Sequence, residues 1–187
     1  MKVTKAQAQA NRAHIVETAS ALFRERGYDG VGVADLMAAA GFTHGGFYKH
    51  FGSKADLMAE AAACGLASST ARSEGVDLAQ YLDRYLSREH RDNPAAGCTL
   101  AALSSDAARQ PDAVKAVFAE GLEQLLETLQ AADGPADAVD EQAQRARRLS
   151  VIATLVGAIT LSRACPDDSA LADEILEACR DRLLPPQ

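Results

Sequence analysis

The sequence predicts an all-α chain, on three observations. Apolar residues recur at helical offsets rather than in alternation. Alanine is abundant and aromatic residues make up only 5% of the 187, so closely approaching helices are expected to build the core. No stretch requires a strand to explain its pattern. The expected layout is a three-helix N-terminal unit over residues 1–52 and a larger helical unit over 53–187.

The first helix is expected over Asn11–Arg26, where Ile15, Ala19, Leu22 and Phe23 share one face. Gly27 stands just past the last periodic residue, where a helix-ending glycine belongs. After the turn Tyr28-Asp29-Gly30, a short second helix is expected over Val33–Ala40, with Gly32 at its N-cap and Gly41 at its end. Thr43 is then placed to cap a third helix over about 44–50, flanked by Phe42 and Phe47 at staple positions. Phe47 and Phe51 are four apart and can pack inward together. Ser53-Lys54-Ala55-Asp56 has the [ST]-x-x-[DE] pattern that opens a helix. Beyond it, helices are expected at about 53–72, 76–91, 97–109, 111–132, 137–164 and 168–183. Pro111 suits a first helical turn, and Gly134-Pro135 and Cys165-Pro166 mark loops.

Residues 33–51 therefore have helix-turn-helix spacing. With Phe47 and Phe51 inward, Thr43, His44, Tyr48 and Lys49 point outward, and His50 lies near the edge. Hydroxyl, imidazole and ammonium groups suit phosphates and base edges. Gly45 and Gly46 remove side chains where a backbone would approach DNA closely. Lys54 is placed to clamp a neighbouring phosphate. These eight residues are the expected DNA contacts.

Residues 12–60 strongly resemble the DNA-binding domain of tetracycline-repressor-like (TetR family) transcriptional regulators. The resemblance rests on Ile15, Ala19, Leu22, Phe23, Gly27, Tyr28, Val33, Leu36, Ala40, Gly41, Thr43, Gly45, Phe47, Tyr48, Phe51, Lys54 and Leu57. Gly32 and Ala34 depart from the polar residues usual there. The stretch from Gly97 to Leu103 is similar to a segment of one subgroup. The resemblance implies a homodimeric, ligand-released repressor with a palindromic operator, its recognition helices entering successive major grooves. It implies a small-molecule effector pocket in the larger unit, for which Tyr81, Tyr85, His90, Cys98, Phe118 and Leu122 are the expected residues. It also implies a dimer interface on the last two helices, where Ala153, Gly157, Ala158, Leu171, Ile175 and Cys179 are expected.

Composition narrows the alternatives. Hydrophobic residues are 48% and charged residues 24%, a globular balance. Net charge is −7, yet residues 1–60 carry seven Lys/Arg against six Asp/Glu, so the acid sits in the body. The uncharged stretch Leu149–Ser162 is shorter than the roughly 18 residues of a membrane span. With no apolar leader and four scattered cysteines, a cytoplasmic protein with free thiols is expected. No P-loop, GxSxG or HExxH motif occurs, and no metal-ligand spacing, so neither enzyme chemistry, cofactor nor metal is expected. Cys98, after Gly97 at a helix start, leaves one alternative open: a thiol-based redox or electrophile-sensing regulator or, as a weaker alternative, a thiol enzyme pairing Cys98 with His90.

Overall fold

The computed structural model describes residues 4–71, 75–76, 78–133 and 138–184, and all regular structure among them is helical. Helix α1 spans Lys5–Arg26, α2 Val33–Ala39, and a tight 3-10 helix His44–Lys49. The body contains α3 (Lys54–Ala71), α4 (Leu78–Tyr85), α5 (Arg88–Asp92), α6 (Thr99–Ala107), α7 (Asp112–Asp133), α8 (Ala138–Arg163) and α9 (Ala170–Leu183).

Three elements differ from expectation. Helix α1 starts at Lys5, six residues before Asn11, because the Thr4 hydroxyl accepts the Gln7 N–H at 3.2 Å. That first stretch is largely exposed and has no apolar face, so periodicity gives no sign of it. The helix expected over 76–91 is broken in two. Ser87 donates to Arg84 O at 2.8 Å and accepts the His90 N–H at 3.2 Å, ending one helix and capping the next. The recognition segment forms 3-10 rather than α turns, with Gly46 N–H on Thr43 O and His50 N–H on Phe47 O, each at 2.9 Å. Thr43 stands at the N-cap, but its side chain makes no capping bond. Ser53 does cap α3, accepting the Asp56 N–H at 3.1 Å.

The turn after α1 has a positive φ of 73° at Gly27, whose N–H reaches Phe23 O at 2.8 Å. One continuous core runs from Ile15, Phe23 and Phe47 through Leu57 and Leu66 to Phe118 and Ile152. A second core under α4, α8 and α9 joins Leu82, Leu86, Leu155, Ile159 and Leu176. The boundary expected at 52/53 precedes α3, but α3 packs against both α1 and α7 and belongs to the same core as the head.

Candidate nucleic-acid interface and ligand cavity

The head presents one polar face. Phe47 and Phe51 are buried with ring centroids 5.4 Å apart, fixing the recognition segment to the core. Thr43, His44, Gly45, Tyr48 and Lys49 are exposed, while Gly46 and His50 are half-buried. Tyr48 is 69% exposed, a large ring held outside although its neighbour Phe47 is 1% exposed. It stands edge-on to Phe47 at 5.2 Å and to His44 at 6.5 Å. A Cβ built on Gly45 meets nothing within 4 Å, so internal packing does not require a glycine there.

Arg12 is a positioning residue that the sequence pattern did not single out. Its Nε donates to His50 O at 3.3 Å, its guanidinium pairs with Glu60, and it lies 4.7 Å from the Phe51 ring centroid. It thus ties α1 and α3 to the end of the recognition segment. Lys54 differs from expectation. Its ammonium turns toward the head, donating to Tyr28 O at 2.5 Å and standing 5.9 Å from the Phe23 ring. The cation expected at a phosphate thus has one of its three N–H donors on that carbonyl.

The body holds a cavity of about 290 Å³ among α3, α4, α5, α6, α7 and α8. Four of the six expected effector residues line it: Tyr81, Tyr85, His90 and Cys98. Phe118 and Leu122 do not. They pack into the main core, and Gly121 and Leu125 on the same helix face the cavity instead. Much of the remaining wall is aliphatic, including Leu66, Val151, Ile152 and Leu155. A sequence offers no signal to separate such residues from ordinary core.

At the polar end, His90 is held in one tautomer. Tyr85 O can only accept, so Nδ1 donates to it at 2.7 Å; the Cys98 N–H can only donate, so Nε2 accepts from it at 2.9 Å. The imidazole lone pair is thus spent on the Cys98 amide, not on its thiol. The structure brings His90 and Cys98 together, but not as a nucleophile and its base. Tyr85 and Cys98 line the cavity together here, and burial above all, with Cys98 next, pushes the Tyr85 pKa well up, so the phenol stays protonated. Arg163 supports this end from below, donating to Arg91 O and His90 O at 2.8 Å each. Burial lowers its pKa from the usual guanidinium value.

Cavity and head are joined through the segment before α6. Ala95 O accepts from Arg24 of α1, and Asp106 of α6 accepts the Tyr28 N–H at 3.0 Å.

The outer face of α8 and α9 has no cover from the described residues of its own chain. Ala153 is exposed, a Cβ on Gly157 would meet nothing within 4 Å, and Leu161 and Leu171 are 59% and 54% exposed. Ala158, expected on this face, is instead buried beside Leu82 and Leu176, one residue out of the outward register. Ile175 and Cys179 are half-buried against their own core. Among the described residues, no helix is long and apolar enough to cross a membrane, and no group of His, Cys, Asp or Glu has metal-site geometry.

Comparison with known proteins gives three findings. Residues 15–61 match the family described as bacterial regulatory proteins, tetR family. The HTH-type transcriptional regulator AcrR of Shigella flexneri is 40% identical over 57 residues, which are 30% of this chain and 26% of that protein. The match thus spans about a quarter of the length of that curated relative. Two solved structures are similar along nearly the whole chain. The reduced form of E. coli NemR has a TM-score of 0.73 at 18% identity, covering 92% of this chain and 94% of that one. A TetR transcriptional regulator from Chloroflexus aurantiacus J-10-FL has a TM-score of 0.66 at 27% identity, covering 95% and 94%.

Proposed function

From the match of residues 15–61 to the family of bacterial regulatory proteins described as tetR, we propose that the chain is a cytoplasmic, homodimeric repressor that a small molecule releases from its operator. The observation that carries this reading is the split within the recognition segment. Phe47 and Phe51 are buried, while Thr43, His44, Gly45, Tyr48 and Lys49 face solvent as one polar row. That row suits direct base and phosphate contact, with Gly45 and Gly46 allowing close backbone approach and His50 at the margin.

The uncovered face of Ala153, Gly157, Leu161 and Leu171 supports a second copy as partner, since small residues let helices approach. Two heads must then sit about one DNA turn apart, roughly 34–36 Å, to enter successive grooves. A ligand in the cavity borders Gly97 and Cys98, and the neighbouring Ala95 carbonyl holds α1 through Arg24. A ligand that favours a different placement of this segment shifts the heads from the DNA-bound spacing, to the extent of its differential affinity.

Selection of bound fragments from a random duplex library by the purified protein tests the reading. A palindrome with half-sites about one turn apart is the expected result. A folded dimer that enriches no sequence would overturn it.

A further inference from the structure

We propose that the cavity takes a neutral, apolar molecule of one or two rings with a single hydrogen-bond-accepting oxygen, such as a ketone, seated on Tyr85 and Cys98. The assignment rests on the reading of this cavity as the effector site.

Size sets the first limit. The cavity of about 290 Å³ is roughly twice the 150 Å³ space that holds a benzene in an apolar protein interior. Its walls set the second. The charged side chains that line it, Arg84 and Glu89, are both exposed at its margin. An ion of either sign would be desolvated against Leu125, Val151 and Leu155, and Arg163 at the polar end already donates to Arg91 O and His90 O.

The polar end sets the third. Both ring nitrogens of His90 are engaged by backbone groups. The hydroxyls of Ser69 and Thr70 donate to Gly65 O at 2.9 Å and Leu66 O at 3.2 Å in their own helix. The Tyr85 hydroxyl differs, because it shares this end of the cavity with the Cys98 side chain, and sulfur is a weak acceptor. A ligand oxygen gives Tyr85 a stronger acceptor than the sulfur, and the thiol S–H is a second, weak donor. Burial keeps that phenol protonated, so its O–H is there to donate to a ligand oxygen. The Tyr81 and Tyr85 rings, 5.6 Å apart and tilted by 39°, add an aromatic wall that suits a flat ring.

Calorimetric titration of the full chain tests this with four probes of one shape: 2-acetylnaphthalene, 2-ethylnaphthalene, 2-naphthoate and naphthalen-2-ylmethylammonium. The ketone should bind about 5- to 10-fold tighter than the hydrocarbon, the worth of one hydrogen bond. Both ions should bind at least about 10-fold more weakly than the ketone. Tyr85→Phe should erase the advantage of the ketone and leave the hydrocarbon within about 2-fold, which also reports that the variant is folded. Either ion matching the ketone, a ketone advantage that survives Tyr85→Phe, or no binding by any probe would overturn the assignment. Titration of the operator complex separates the two readings. A ketone that binds but leaves DNA in place sinks ligand release and keeps the ligand class. A protein that holds its operator but binds no probe sinks the ligand class and keeps the regulator.

Discussion

Arg24, in the last turn of α1, donates twice to the carbonyl of Ala95, at 2.8 Å from Nε and 2.5 Å from Nη2. Ala95 lies three residues before Cys98, which lines the cavity, so one guanidinium joins the N-terminal helices to the rim of the cavity. Its Nη1 also donates to the Ser20 hydroxyl at 2.7 Å, which holds the guanidinium in this orientation.

Arg24→Ala should therefore lower stability by about 2 kcal/mol, the worth of hydrogen bonds from a charged donor. It should also uncouple the two sites. Operator affinity without ligand should stay within a few-fold, while the ligand concentration needed for release should rise about 10-fold. A release curve that matches the parent would remove Arg24 from the coupling path.

Gly45→Ala separates folding from binding. The added methyl group meets no neighbour, and alanine loses less backbone entropy than glycine on folding, so stability should hold or rise by about 0.5 kcal/mol. Operator affinity should nevertheless fall about 10-fold or more, because the methyl stands on the face proposed to meet DNA. Chemical denaturation and a gel-shift titration on the same preparation give both values.

Three cations of the head should behave differently. Lys49→Ala should weaken all duplexes alike and flatten the salt slope by about one unit, as loss of one phosphate contact does. Lys54→Ala should chiefly lower the melting temperature, since its ammonium is bound to Tyr28 O. Arg12→Ala should loosen the recognition segment at His50, lowering specific binding more than non-specific binding.

Leu161→Glu, on the uncovered face of α8, should leave the monomer folded and abolish the dimer. Light scattering of the variant at micromolar concentration reads this directly. A dimer of unchanged affinity would place the interface elsewhere.

Alkaline stability has a defined sign. The pKa of Tyr28 is raised above the ordinary value by burial first and by Asp106 second, and that of Tyr85 by burial first and by Cys98 next. Folding thus favours both phenols protonated. This contribution is complete below the unfolded value near 10 and is lost as pH rises through the folded values. The urea midpoint should stay flat between about pH 7 and 9 and fall above about pH 10. Tyr28→Phe should moderate the fall. At neutral pH it should be no less stable, and up to about 1 kcal/mol more stable, because the buried Tyr28 hydroxyl has no hydrogen-bond partner among the described residues.

Sequence made the head legible because its signals are local. Gly27, Ser53 and the pair Phe47/Phe51 act within one or two turns, so spacing locates the end of α1, the start of α3 and the outward row. Arg12 is illegible for the opposite reason, since its partners His50 and Glu60 lie 38 and 48 residues away. Ala95 acts through its carbonyl, which every residue has. In the cavity, the polar residues Tyr81, Tyr85, His90 and Cys98 stand out as types, whereas Leu66 and Leu155 look like any core residue. Ala158 shows how narrow the margin is, because one step along a helix turns a residue by about 100° and carries it from the outer face to the inner.

The shared core also bears on how such a protein can be rebuilt. A head excised at residue 52 would leave Ile15, Phe23 and Phe47 without Leu57, Met58 and Ala61 of α3, the residues that close their side of the core. The N-terminal helices, and with them the proposed DNA specificity, are therefore not a detachable cassette. A chimera that borrows a foreign reading head must carry α3 with it, and must match Gly65, where an added methyl would collide with Ser20, Arg24 and Thr99. The seam that can be cut is set by this buried polar contact and not by the loop where the recognition segment ends.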